Sequence, residues 1–324
     1  MNLSILLTRG HRLLSLAAIV DVFETVNSFL EDDGELARFD IQLVGLDDPA
    51  ELPENFRKYR YLRIPDMIYK NDILFVPAFR ARDMQQTIQD NIPFIPLLTD
   101  QYKKGATIVS LCTGAFLLGA AGLLNGRAAT THIDASEAFA QQFPEVSLQP
   151  HAVLTQSENI YTSGGATSSF HMKLLLIQQY CGREMAVRIA KNFAIDMDRN
   201  NQLYFEHFKP ALSKEDELVR SVQTIINARF SELRSVEEAL EKVPSSRRNI
   251  IRRFKHATGM TPIRYLQKTK IESAKKLLET TDKDILEVMV SSGYSDLKNF
   301  RQLFKSFTGL SPRHYREKYG MRLV

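Results

Sequence analysis

The chain has 324 residues, long for one ordinary core and suited to two domains. Its composition, 44% hydrophobic and 25% charged with little glycine or proline, is that of a globular protein. The net charge of +4 conceals a division: residues 1–210 carry 19 Lys and Arg against 24 Asp and Glu, whereas residues 211–324 carry 23 against 14. An acidic segment is joined to a basic one, and a basic C-terminal third raises the expectation of a polyanionic partner. No uninterrupted apolar run reaches the ~18 residues that argue for a membrane span. Residues 1–7 are too short for a signal-peptide core. Two cysteines exclude a disulfide scaffold and suit a reducing compartment, so a cytoplasmic protein without a membrane partner is expected. The seven histidines show no Cys/His pairing at metal-ligand spacing, and no metal or cofactor is expected.

In chain order, residues 3–8 read as a buried strand, Arg9-Gly10 as a turn, and residues 15–30 as a helix. Leu16, Ile19, Val20, Phe23, Val26 and Phe29 or Leu30 fall on one side of that helix. Residues 39–44, 73–76 and 107–111 are further strands. Strands separated by helices imply parallel pairing, hence an α/β sandwich, flavodoxin-like with a mostly parallel sheet. Ligands in such sheets sit at the carboxyl ends of the strands.

Between these strands, Arg57-Lys58-Tyr59-Arg60-Tyr61-Leu62-Arg63 sets four positive charges and two aromatics against the sign of its domain. It reads as a charged edge strand, which discourages aggregation. The alternative is an anion site, where Arg57, Arg60 and Arg63 grip a phosphate, as of a nucleotide, and tyrosines stack on a base.

The strand at 107–111 runs straight into Cys112, then Thr113-Gly114 and a small-residue helix. This is the strand–tight turn–helix geometry of a nucleophile elbow. A cysteine there lies beside a helix N-terminus, which favours the thiolate. The segment 110–131 contains Cys112-Thr113-Gly114-Ala115, Ala121-Gly122-Leu123-Leu124-Asn125-Gly126-Arg127 and Ala129-Thr130-Thr131, followed by His132. With Phe143-Pro144-Glu145-Val146, Tyr161-Thr162-Ser163-Gly164-Gly165-Ala166 and Arg199-Asn200-Asn201-Gln202, it resembles the DJ-1/PfpI-like (class I glutamine-amidotransferase-like) domain. The likeness covers roughly residues 3–205 and is greatest to the version fused to AraC-type regulators.

That resemblance implies a cysteine supported by an acid and often a histidine, but Thr113 stands where protease-like members place histidine. The first helix opens Leu13-Leu14-Ser15-Leu16, without the glutamate that catalytic members supply. Lacking base and orienter, Cys112 reads as a vestigial elbow with no catalytic residues. Its floor, with Thr113, His132 and Gly164, is a candidate small-molecule site; the alternatives are retained catalysis or a purely structural cysteine. Val76-Pro77-Ala78-Phe79 stands where the family usually has Val-Pro-Gly-Gly, a departure that weakens the expectation of close backbone approach to a ligand there.

Residues 206–215, with Pro210, read as the linker between a first domain at 1–205 and a second at 216–324. The basic segment is duplicated: Phe254-Lys255, Thr258-Gly259, Pro262 and Tyr265 recur as Phe304-Lys305, Thr308-Gly309, Pro312 and Tyr315, each offset by 50 residues. Each copy has helix-turn-helix character. In the first, Ser235-Val236-Glu237-Glu238 has capping-box spacing and opens a helix to Val243. A break at Pro244-Ser245-Ser246 precedes a helix over 247–257. In the second, residues 285–290, a turn at Ser291-Ser292-Gly293 and a helix over 296–307 repeat the unit. Phe300, Leu303, Phe304 and Phe307 share one face, and Lys298, Arg301, Gln302 and Lys305 the other.

Such a stripe could be a solvated helix face; two in matched frames in a domain of balance +9 argue for nucleic acid. Ser292-Gly293-Tyr294-Ser295-Asp296, Asn299-Phe300-Arg301-Gln302-Leu303-Phe304-Lys305 and Thr308-Gly309-Leu310-Ser311-Pro312-Arg313-His314-Tyr315-Arg316 resemble the AraC/XylS DNA-binding domain over about 216–319. The resemblance places base-reading positions on Arg248, Ile251 and Arg252, and on Leu297, Lys298, Arg301 and Gln302. Arg and Lys can donate to guanine and Gln can pair with adenine, whereas Ile251 can only meet a thymine methyl or pack. Ser246, Lys255 and Lys305 complete the candidate DNA-binding set. A helix over 262–279 is expected to set the recognition helices about one DNA turn, ~34 Å, apart.

The function expected is a sequence-specific transcription regulator, an activator by family resemblance, controlled by a small-molecule effector in the first domain. Its partners would be double-stranded promoter DNA, the effector, a second copy in a homodimer, and RNA polymerase. The rivals are a cysteine-dependent amidase or hydratase fused to a DNA-binding domain, and a ligand-independent DNA-binding dimer.

Overall fold

Isoleucine, valine, leucine and phenylalanine crowd the strands because most of these strands are covered on both faces, as parallel strands usually are. In the computed structural model β1 (Asn2–Leu6) is followed by α1 (Leu13–Asp32), β2 (Asp40–Gly45), β3 (Arg60–Arg63) and β4 (Ile73–Val76). Next come α2 (Met84–Asn91), α3 (Ile95–Lys103), β5 (Thr107–Leu111), α4 (Ala115–Ala120), β6 (Ala128–Ala129) and α5 (Ser136–Gln142). β7 (Ser147–Leu148), β8 (Leu154–Ser157), β9 (Ile160–Ser163) and α6 (Ser168–Asn192) complete the first unit. The structure describes residues 1–46, 54–67, 69–80, 83–165, 167–197, 213, 216–241 and 243–320. The expected linker, Ser213 apart, and the family-like positions 166 and 199–202 lie outside them. The chain divides into two units, Met1–Gln202 and Leu203–Val324.

Seven strands form one sheet in the order β3-β2-β1-β4-β5-β9-β8, parallel except for the β8–β9 pair. This is the expected α/β sandwich with a mostly parallel sheet. Alternation along each strand separates two cores: Leu3, Ile5, Ile73, Phe75 and Val109 meet α1 and α6, whereas Leu6, Leu74, Val76 and Ile108 meet α4 and its neighbours. By length and apolar composition alone, the 20-residue α1 could cross a membrane. Here Leu16, Ile19, Phe23 and Val26 instead bury its stripe in the first core. β1 ends two residues before the expected strand, and α1 begins two residues early because Arg12, in extended backbone, donates its N–H to the Ala78 carbonyl (2.7 Å).

The second unit is helical: α7 (Glu217–Arg229), α8 (Glu237–Leu240), α9 (Arg247–Thr258), α10 (Pro262–Thr280), α11 (Ile285–Ser291), α12 (Leu297–Thr308) and α13 (Pro312–Tyr319). The duplication is visible atom by atom. Ser246 and Asp296 cap α9 and α12 by accepting the N–H of Asn249 and Asn299. Both helices stop at a left-handed glycine, Gly259 (φ 72°) and Gly309 (φ 77°). The preceding hydroxyls, Thr258 and Thr308, each reach back 2.7 Å to the carbonyl of Phe254 or Phe304. Thr261 and Ser311 then cap the next helices, with Pro262 and Pro312 in the first turn.

One local expectation fails. The capping-box spacing at Ser235 forms no box: α8 is four residues long, and its N-cap is Val236 with no side-chain bond. The box is in the second copy, where the Asp284 side chain accepts from Glu287 N–H and the Glu287 carboxylate accepts from Asp284 N–H.

Candidate nucleic-acid interface and cysteine elbow

The face of α9 is set by which side chains the core removes. Ile250 and Phe254 are buried with Val222, Val243 and Tyr265, leaving Ser246, Arg248, Arg252 and Lys255 exposed and Ile251 half-buried. α12 repeats the partition: Phe300, Phe304 and Phe307 are buried, while Lys298, Arg301, Gln302 and Lys305 are exposed. Leu297 is half-buried and packs against that core. The candidate base readers thus share one exposed face in each motif, with Ile251 and Leu297 at its margin. Ser246 is engaged as the helix cap, its hydroxyl accepting from Asn249 N–H at 3.3 Å.

Composition could not separate the four arginines of α9. Arg247 donates to Glu237 (2.5 Å), and Arg253 donates to both Asp216 oxygens, Nε at 2.8 Å and Nη2 at 2.7 Å. The Arg253 bonds hold the Asp216 carboxyl below its usual pKa. Arg248 and Arg252 point outward, and Arg252 is braced on Asn249 Oδ1 at 3.1 Å. Periodicity alone gives no sign of the Arg253–Asp216 tie, because its partner lies 37 residues away.

In the first unit, Cys112 occupies left-handed backbone (φ 56°), unusual for a residue with a side chain and in keeping with the elbow. Gly114 is obligatory in the turn, since a Cβ there would lie 2.6 Å from the Val76 carbonyl oxygen. Cys112 is 4% exposed, and burial pushes its thiol pKa up despite Thr113 and Arg12, which favour the thiolate. Thr131 donates its hydroxyl to the Cys112 carbonyl at 3.0 Å. Thr113 is spent on the neighbouring loop, its hydroxyl accepting from Phe79 N–H (3.0 Å) and donating to Phe79 O (2.8 Å). Ser15 accepts from Ala78 N–H at 3.0 Å. The amides of Ala78 and Phe79, in the loop after β4, are therefore engaged by side chains.

His132 is half-buried; its Nδ1 accepts from Asp134 N–H at 3.2 Å, and burial lowers its pKa. Arg12 and Asp134 act electrostatically on both Cys112 and His132, two charges near the elbow that the sequence alone does not single out. The signal for Arg12 was its place in the loop after a parallel strand. Gly164, buried at the end of β9, donates its N–H to Val153 O at 2.9 Å.

The other ligand candidates are elsewhere. Arg57, Arg60 and Arg63 lie on or beside β3, the edge strand. It stands four strand spacings from β5, about 19 Å across the sheet. Lys58 pairs with Glu24 (2.6 Å), and Arg60 lies over the Tyr69 ring at 5.9 Å. The basic cluster and the elbow are two places, not one site. Among the described residues, no group of His, Cys, Asp and Glu is arranged to hold a metal ion.

The comparisons follow the same division. The DJ-1/PfpI family pattern matches residues 70–179, and a helix-turn-helix domain pattern matches residues 240–318. The transcriptional regulator GbdR of Pseudomonas aeruginosa (strain UCBPP-PA14) is 28% identical over 227 residues, 69% of this chain and 61% of that protein. GlxA of Rhizobium meliloti, also named a transcriptional regulator, is 24% identical over 226 residues, 67% of each chain. Among solved structures, an AraC family transcriptional regulator from Pseudomonas putida aligns over 59% of this chain and 98% of its own, with 17% identity and a TM-score of 0.44. Drosophila melanogaster DJ-1beta aligns over 60% and 98%, with 16% identity and a TM-score of 0.46. The chain thus spans about three-fifths of the GbdR sequence. The chain joins a segment matching the DJ-1/PfpI family to a helix-turn-helix domain, and over both it is similar to transcriptional regulators of the AraC type.

Proposed function

We propose that this chain is a sequence-specific DNA-binding transcription regulator whose first domain receives a small-molecule signal. The observation that carries the reading is the pair of equivalently capped helices, α9 and α12, each burying an apolar face and exposing a basic one. Arg248 and Arg252 in one helix, and Lys298, Arg301 and Gln302 in the other, are the base readers; Lys255 and Lys305 face phosphates. The family relatives support promoter DNA as the partner, and activation, a homodimer and contact with RNA polymerase belong to the same reading. A small molecule at the elbow would meet Arg12, His132 and Asp134 around Cys112 and act by differential affinity for DNA-competent and incompetent states.

The test is enrichment of duplexes from a random pool by the full chain, followed by a salt titration. Affinity should fall steeply with salt, and Lys305→Ala should lower the slope by about one. Enrichment of no sequence overturns the reading. The left-handed Cys112 favours a second one, a cysteine-dependent amidase or hydratase, against which stand its raised thiol and the engaged amides. Cys112→Ser should keep DNA binding. Turnover of an amide or an aldehyde substrate that vanishes in this variant would establish the enzyme instead.

A further inference from the structure

α10 belongs to two hydrophobic cores. Tyr265 and Leu266 pack with Ile250 and Phe254 of the first motif, whereas Ile271, Ala274 and Leu278 pack with Phe300 and Phe304 of the second. Lys270 stands at the seam between them and is only 5% exposed. Its ammonium donates to the carbonyl of Leu233, 2.8 Å away in the turn before α8, and to that of Gly293, 2.7 Å away in the turn between α11 and α12. The Tyr294 ring centroid lies 5.2 Å from the same nitrogen. One cation therefore holds a backbone carbonyl at the entrance to the first helix-turn-helix motif and one in the turn of the second.

The two turns also touch directly. Gly293 is left-handed (φ 81°), and a Cβ there would lie 2.7 Å from the Ser231 carbonyl oxygen. Beside this contact a cleft of about 650 Å³ opens, lined in part by Ile263, Val290 and Leu303, so apolar packing does not close the motifs together there. An apolar residue at 270 would orphan two carbonyls. A lysine instead bears the desolvation of a buried charge, opposed by these two carbonyls, the Tyr294 ring and the field of Glu238. Nothing in the packing of either core requires that arrangement; fixing one motif against the other does.

A protein that reads two successive major-groove segments must hold its recognition helices at one separation. Each inserted base pair carries the second segment about 3.4 Å along the duplex and about 34° around it. We propose that Lys270 is a positioning residue for DNA recognition: by bonding Leu233 and Gly293 it locks the two motifs together and sets the spacing between base contacts that the chain accepts. This rests on the DNA-binding reading above.

The experiment takes a duplex enriched by the full wild-type chain and compares it with versions having one base pair inserted or removed between the two contacted segments. The wild type should prefer the original spacing at least twentyfold. Lys270→Met should reduce that ratio at least fivefold, and Lys270→Gln, which keeps a donor for one carbonyl, should fall between them. The ratio does not depend on the fraction of folded protein, and Lys270→Gln is read alone if the methionine variant does not fold. An unchanged ratio, or a wild type indifferent to spacing, overturns the role of Lys270. A wild type that enriches no duplex overturns the DNA-binding reading first, and the strap with it.

Discussion

The two helix-turn-helix motifs come from one template and are supported in different ways. Caps, left-handed glycines, threonine back-bonds and the Phe–Tyr edge contact are shared: Phe254 and Tyr265 lie 5.4 Å apart at 80°, Phe304 and Tyr315 5.4 Å apart at 84°. The second motif adds aromatic volume, with Phe300 between Tyr294 (5.4 Å) and Phe304 (5.8 Å), and a fully boxed scaffold helix. The first has Ile250 in the place of Phe300 and a four-residue α8, and its recognition helix is tied from outside by Arg253 to Asp216 at the head of α7. Backbone-determined features have been kept through the duplication. Core volume and external ties have diverged, the second motif relying on the former and the first on the latter.

The largest effect should come from core volume. Phe300→Ala removes a fully buried ring and should cost about 3–5 kcal/mol, with Ile250→Ala in a range of about 2–5 kcal/mol. Urea unfolding should place Phe300→Ala as the more damaging of the two. The reverse order would break the comparison, because the second motif would then not depend on its aromatic core.

Base reading should be divided between the motifs more evenly than stability is. Arg248→Ala and Arg301→Ala each remove an exposed arginine from a recognition helix and should each cost about 1–3 kcal/mol in DNA affinity. Each should relax preference at one base position in its own half of the enriched sequence. Selection repeated with each variant checks this. Uniform weakening across all sequences would reassign that arginine to phosphate.

Capping should separate the motifs again, on a smaller scale. Asp284→Ala breaks the box of α11 and should cost about 1 kcal/mol. Ser235→Ala, at the position where spacing suggested a box, should leave the melting temperature unchanged because no side-chain cap forms there.

These contrasts show where the sequence was legible. β4 and β5 match their expected bounds at Ile73–Val76 and Thr107–Leu111, because strands buried on both faces read as short, mainly apolar runs. β8 and β9 gave no such run: Thr155 and Thr162 are buried as a hydroxyl pair 2.7 Å apart, a solution that exists only once the strands meet. The duplication was legible because identity at a fixed offset needs no knowledge of packing. The elbow was legible at Cys112 and His132 but not at Arg12, which comes from the distant loop after β1, nor at Asp134 beside His132. In α9, the sequence displays four arginines of one kind; only the partner at Asp216 sets Arg253 apart as a structural one from the three exposed ones.

The smallest expected effect tests the external tie itself. Arg253 holds the folded-state pKa of Asp216 below its unfolded value, so the tie contributes stability above the unfolded pKa, about 3.9, and loses it as pH falls through the folded value. Asp216→Asn removes the charge but keeps a side chain able to cap α7, because asparagine and aspartate are comparable N-caps. The variant should therefore melt slightly below the wild type at pH 7, and the difference should shrink steadily toward pH 3. Both side chains are partly exposed, so salt should also narrow the gap. Hydrogen exchange should locate the loss in α9 and leave α12 untouched. Protection lost equally from both recognition helices would mean that the motifs open as one unit, and the contrast in their supports would then have no energetic consequence.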